Sequence, residues 1–396
     1  MKGLGEMART HPAESATRGA HEAVAAMPPL ERVLTRSAWV FYAIIVFEIL
    51  FMISPFALYF YSGYRPVLDR LDRWAWTAWL TQFFLPHFSE TTSRPLNALH
   101  GLAWPLILGG AGIFLGGAAP IYWSKLRRRG AVTTGLYAHI RHPQYVGLAM
   151  VGLGTLLVWP RFLVLGTYIA MLLLYTALAR REERRCLARF GKSYRVYRQR
   201  TGMFVPSSWS RRITSVLPAS GRRRRLARRG LSAALIPVAL LAAYGIRDYS
   251  LSKITALYTR NVAVLSPAVL SEDELGAAYR AARFDRRVQK ALDDAEPTRL
   301  IVYVVPQEWV LPDLPLEPVR RGRHHVPETF DRRHYKVLFA RPRTHAARPE
   351  GRSIVKTAYG LDPIVLVRID ALAGTVAELD TPPAHVHWGD IPTPLF

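Results

Sequence analysis

Gly135-Leu136-Tyr137-Ala138-His139-Ile140-Arg141-His142-Pro143-Gln144-Tyr145-Val146-Gly147 decides how this chain is read. It is polar and titratable, yet two apolar segments follow it at once, Tyr145 to Trp159 and Phe162 to Ala179, joined at Pro160. So short a joint makes them antiparallel neighbours. The first, at 15 residues, is about 22 Å long and falls short of a hydrocarbon core. It spans only if the helix continues back through His142 and Pro143, or if the hairpin is re-entrant. Pro143 suits a first helical turn, where its missing N–H costs nothing. The far foot of the hairpin carries Glu182 and Glu183, followed by Phe190-Gly191-Lys192-Ser193-Tyr194-Arg195-Val196-Tyr197. Charge at both feet of a membrane hairpin is a functional signal by default.

Composition supports a membrane class. Half of the 396 residues are hydrophobic, and the net charge is +24. Residues 1–249 hold 33 Lys and Arg against 11 Asp and Glu, a balance of +22, whereas residues 250–396 hold 20 against 18, a balance of +2. The basic excess therefore belongs to the apolar half. Topology and attraction to anionic lipid explain it more simply than nucleic acid, and no nucleic-acid partner is expected. A single cysteine, Cys186, rules out an intramolecular disulfide, and no closely spaced set of ligands marks a metal site. The nearest approach is His385 and His387 with His324, His325 and His334.

Outward from the motif, residues 1–37 read as a disordered cytoplasmic tail. Ala38 to Tyr61 reads as a first span, with Glu48 near its middle. Residues 62–97 form an external connection with an aromatic segment, and Leu99 to Trp123 is a second span whose glycines permit close helix packing. Residues 180–229 carry 17 Lys and Arg against 2 Glu, which places this loop in the cytoplasm in contact with anionic lipids. Leu231 to Ile246 is a fifth span, after a basic linker at 207–230. The remainder, 250–396, then emerges outside the cytoplasm. In it Ser271-Glu272-Asp273-Glu274 reads as a capping box opening a helix to about Leu292. Strands are expected at Leu300 to Val305, Lys336 to Phe339, Ile354 to Ala358, Ile364 to Ile369 and Thr375 to Leu379. The expectation is an α-helical integral membrane protein of about five spans, with a tight helical hairpin and a small soluble α+β domain. Its place would be the inner (plasma) membrane of a bacterium.

Tyr137, Arg141-His142-Pro143, Tyr145, Gly147, Glu182-Glu183, Phe190-Gly191, Tyr194, Tyr197 and Pro206 together resemble the isoprenylcysteine carboxyl methyltransferase and phospholipid methyltransferase group of integral-membrane enzymes. The resemblance covers about Thr134 to Pro206. It implies S-adenosylmethionine as cofactor and methyl transfer to a lipophilic or membrane-associated acceptor. It also implies a cofactor site formed by Tyr137, His142, Pro143, Tyr145, Gly147, Glu182 and Glu183, with Glu183 and Arg141 serving the reaction. In the enzymes that methylate prenylated proteins, an arginine one turn before the glutamates holds the substrate carboxylate. Here Ala177, Leu178 and Ala179 fill that turn, so the acceptor stays open among lipid amine, carboxylate, hydroxyl and thiol. The alternative is a membrane-anchored interaction or sensor protein built on a degenerate methyltransferase core, whose outer domain is the working part.

Overall fold

A computed structural model describes residues 66–86, 90–127, 132–209, 221–309 and 329–382. The expected tail at 1–37, the expected span at 38–61 with Glu48, and His324, His325, His385 and His387 lie outside the described residues. The membrane half contains α1 (Arg94–Gly101), α2 (Ala103–Leu126), α3 (Pro143–Val158), α4 (Phe162–Arg200) and α5 (Gly221–Ser252). Among the described residues three stretches are long and apolar enough to cross a bilayer: Arg94–Ser124, Phe162–Arg200 and Ala233–Ser252. α3 does begin at Pro143, but its 16 residues give only about 24 Å. It remains a short apolar helix beside the longer ones.

Glycine fixes the closest packing. A Cβ on Gly110 would lie 2.6 Å from the Gly147 carbonyl oxygen, and one on Gly147 would lie 2.6 Å from the Gly110 carbonyl oxygen and the Phe114 nitrogen. Only hydrogen side chains let α2 and α3 touch backbone to backbone here. The turn between α3 and α4 is closed by the segment before α1. Phe84 N–H donates to Pro160 (2.8 Å) and Phe162 N–H to Gln82 (3.1 Å). The buried Arg161 guanidinium donates to the Thr81 carbonyl at 3.0 Å and lies 4.4 Å above the Phe83 ring. Arg247 of α5, also buried, donates to the Phe83 carbonyl. The basic block at 222–229, read from sequence as linker, is part of α5: the helix runs unbroken from Gly221, so its span is the exit end of a longer rod.

The C-terminal domain follows α5 directly. Its strands are β1 (Thr255–Tyr258), β2 (Val262–Ser266), β3 (Leu300–Pro306), β4 (His334–Thr344), β5 (Ala358–Asp370) and β6 (Thr375–Asp380), and its helices are α6 (Glu272–Arg283), α7 (Arg286–Ala295) and α8 (Arg352–Thr357). Among the described residues they form one sheet in sequential order, antiparallel except for β2 and β3, which α6 and α7 join as a crossover. Alternation along β3 explains its unbroken apolar run. Val302 and Val304 meet Leu275, Ala278 and Val288 of the helices, while Ile301, Tyr303 and Val305 face the other side. On that other side the sheet is covered by Leu251 at the end of α5, by Ile254 just after it, and by Ile354 and Val355 of α8.

The capping box forms: Ser271 N–H donates to Glu274 Oε2 (2.7 Å) and Glu274 N–H to Ser271 Oγ (3.2 Å). The helix it opens stops at Arg283 instead of reaching Leu292, because Asp285 caps a second helix by accepting from Arg287 and Val288. The strand expected at Ile354 to Ala358 is helical from Arg352 to Thr357. Neighbouring residues of a strand face opposite ways, whereas Ile354 and Val355 enter the same core together, as a helical turn allows.

Candidate functional site

The site is assembled where the foot of α3 meets α4. Thr134 to Ile140 form a short 3-10 turn and loop ahead of His142, which caps α3. Two segments distant in sequence hold this loop. On one side the buried Tyr137 hydroxyl donates to the Gly117 carbonyl of α2 at 3.1 Å. On the other, Arg141 N–H donates to Gly202 (2.9 Å) and His142 N–H to Met203 (3.2 Å). Residues 202–203 can reach back because α4 bends sharply at Gly191, whose φ of 52° and ψ of −120° suit glycine and few others. The return segment is then fastened by Tyr197, whose hydroxyl donates to the Tyr137 carbonyl at 2.7 Å.

Five of the residues named from sequence converge there. Arg141 Nε donates to Glu183 Oε1 at 2.6 Å, and both side chains are buried, at 9% and 5% exposure. The same guanidinium donates to the carbonyls of Arg198 (3.0 Å) and Thr201. Arg198 approaches the second Glu183 oxygen at 3.4 Å. Glu183 thus ties three separate parts of the chain. Glu182 differs: its side chain is 51% exposed, it accepts from the Tyr145 hydroxyl at 2.6 Å, and its other oxygen lies 3.3 Å from His142 Nδ1. Tyr145 in turn stacks on Tyr175 of α4 (5.2 Å, 18°) and on His142 (5.7 Å, 24°).

His142 is buried between both carboxylates. Burial by itself would lower its pKa, but the nearby Glu182 and Glu183 carboxylates outweigh this and hold the imidazole above its ordinary value. Its Nε2 is 3.7 Å from Glu183 Oε1 and has no hydrogen-bond partner among the described residues. A buried ring nitrogen left this way is a place where a ligand's polar group fits.

The remaining sequence-derived residues lie one step back. Pro143 forms the first turn of α3, Gly147 meets α2, and the Tyr137 side chain is spent on Gly117. Sequence reasoning missed Arg198, Thr201 and Tyr175. Tyr197, which the resemblance includes without a role, is a fastener. For Arg198 and Thr201 the sequence offers only the regular placing of Tyr194, Tyr197 and Thr201 on one side of a helix, which does not disclose the backward bend at Gly191.

A cavity of about 650 Å³ adjoins this cluster. Arg141 and Glu183 form its wall, with Arg180, Arg184, Leu187, Arg198, Gln199, Thr201, Gly202, Met203 and Ser207. Among the described residues no group of three or more acidic, His or Cys side chains is arranged to hold a metal.

With this geometry in place, comparison with known proteins is direct. The family model for phospholipid methyltransferase matches residues 108–193, from the middle of α2 to just beyond Gly191. Protein-S-isoprenylcysteine O-methyltransferase of Schizosaccharomyces pombe is 36% identical over 78 residues, 19% of this chain and 32% of that protein. The chain therefore matches about a third of the length of that relative. No solved structure matches the chain. The α2-to-α4 segment that carries the charged hairpin feet is thus similar to membrane methyltransferases of the phospholipid and isoprenylcysteine kind.

Proposed function

We propose that this protein transfers a methyl group from S-adenosylmethionine to a lipophilic or membrane-associated acceptor. The observation that carries the reading is the meeting of His142, Tyr145 and Glu182 at the foot of the hairpin, inside the segment that matches methyltransferases. The residues fit the cofactor: a half-exposed carboxylate for a cationic centre, aromatic faces beside it, and an unsatisfied imidazole nitrogen for a polar group. When bound, the cofactor supplies an activated methyl on a sulfonium, so the protein has chiefly to position the nucleophile and exclude water.

The two glutamates divide the work. Glu182, aimed by Tyr145 and His142, supplies counter-charge to the cation. Glu183 is neutralised by Arg141 and Arg198 and positions the loop that carries His142. On this reading Arg141 and Glu183 are positioning residues, and the reaction-side roles expected for them pass to Glu182 and His142. His142 Nε2 can accept a proton if the acceptor arrives protonated. The apolar flanks of α3 and α4 keep the nucleophile's approach dry and open to lipid.

The test is cofactor binding by the purified full chain in nanodiscs. Glu182→Gln and His142→Ala are expected to weaken binding of S-adenosylmethionine about tenfold or more, the scale of losing a charge-assisted contact. Wild-type affinity in both variants sinks the assignment. Labelled methyl groups recovered in lipid extracts would then identify the acceptor.

A further inference from the structure

The cavity beside the cluster has a chemistry of its own. Four guanidiniums line it (Arg141, Arg180, Arg184 and Arg198) against one carboxylate, Glu183, which Arg141 and Arg198 already share. The arrangement follows from sequence spacing. Arg180, Glu183, Arg184 and Leu187 recur at three- and four-residue intervals and so share a face of α4. Arg198 arrives from the return segment after Gly191. His142, Tyr145, Tyr175 and Glu182 do not line the cavity, which meets their cluster only through Arg141 and Glu183. A site with this excess of positive charge disfavours a cofactor of net positive charge and favours an anion.

The wall also has apolar members. Leu187 and Met203 line the same cavity as the arginines, while Gln199, Thr201 and Ser207 add neutral polar groups. Guanidiniums bind phosphate oxygens through paired N–H donors. Basic pockets at the ends of membrane helices are places where anionic headgroups lodge. A free phosphate would use only the arginines; a lipid headgroup would use the apolar side as well.

We propose that this cavity binds the phosphate-bearing headgroup of an anionic membrane lipid, as a second ligand beside the methyl-transfer site. The proposal does not depend on the transfer reaction. An anion among these arginines competes with Glu183 for Arg198, so the occupied cavity loosens the tie between the return segment and α4.

The experiment uses full-length protein in detergent and dihexanoyl phosphatidylglycerol as probe, with binding followed by native mass spectrometry. Wild type is expected to bind it, and Arg180→Gln and Arg184→Gln to bind about fivefold more weakly each, as expected for one arginine's attraction to an anionic headgroup. Arg189→Gln, on α4 but outside the cavity, should match wild type. Far-UV circular dichroism identifies variants that fail to fold, and Arg180→Lys, which keeps the charge, should recover most of the affinity. Unchanged affinity in both glutamine variants overturns the proposal. So does displacement of the probe by inorganic phosphate at equal concentration, which would make this a free-anion site. Displacement by S-adenosylmethionine would give the cavity to the cofactor and equally overturn it. Lipid binding without any cofactor binding would leave this proposal standing and remove the methyltransferase reading instead.

Discussion

Glu182 and Glu183 are adjacent in sequence and opposite in circumstance. One is half exposed and held by a tyrosine and a histidine; the other is buried against two arginines. Glu183→Gln leaves the buried Arg141 without its counter-ion, which should destabilise the fold by about 3–5 kcal/mol. The thermal midpoint in nanodiscs should fall accordingly, whereas Glu182→Gln should leave it nearly unchanged. Equal midpoints for the two variants would contradict the division of roles. His142 adds a pH dependence with a definite sign. Its pKa is raised in the folded protein, so its stabilising contribution is fully present below the unfolded value of ~6.5 and is lost as pH rises through the folded value. The difference in thermal midpoint between wild type and His142→Gln should therefore shrink as the pH is taken above neutrality. A difference that grows with pH would mean the carboxylates do not govern this imidazole.

At the scale of elements, the bend at Gly191 decides whether the site closes. Gly191→Ala must hold a side chain at φ 52° and ψ −120°, which costs about 1–3 kcal/mol, and should release the return segment from Tyr137 and Glu183. Hydrogen exchange at the Arg141, His142 and Gly202 amides would report the release. Protection equal to wild type would show that the bend is not what holds the segment. This is also where sequence reading met its limit. The hairpin, its Pro143 start, the glutamates and the capping box at Ser271 were all legible, because each rests on local spacing or local chemistry. The bend was not, since one glycine in a basic helical stretch gives no direction of return. β1 and β2 were missed for a related reason. At four and five residues they are too short for alternation to speak, and their apolar character merges with the helix before them.

For the whole molecule, the site and the C-terminal domain stand at opposite ends of the same helices. Glu183 and His142 lie at one end, while Arg161, Phe83 and Arg247 close the other. The domain is fastened to that second end. Thr92 N–H donates to Lys253 (2.9 Å), Glu90 N–H to Pro267 (2.7 Å), and Lys356 pairs with Asp248. If the arginine-rich feet lie in the cytoplasm, as their charge leads one to expect, Leu372, 81% exposed at the β5–β6 turn, is expected outside. In a Cys186→Ser background, Leu372→Cys should react with an impermeant maleimide added to intact cells; labelling only after lysis would reverse the orientation. α5 has a consequence for biogenesis. Its last turn supplies Leu251, with Ile254 just beyond, to one face of the C-terminal sheet. The sheet therefore cannot finish that face until the membrane helix stands in place. Placing of α5 and completion of the sheet's core are therefore coupled, and a chain whose helix is misplaced leaves that apolar face of the sheet open.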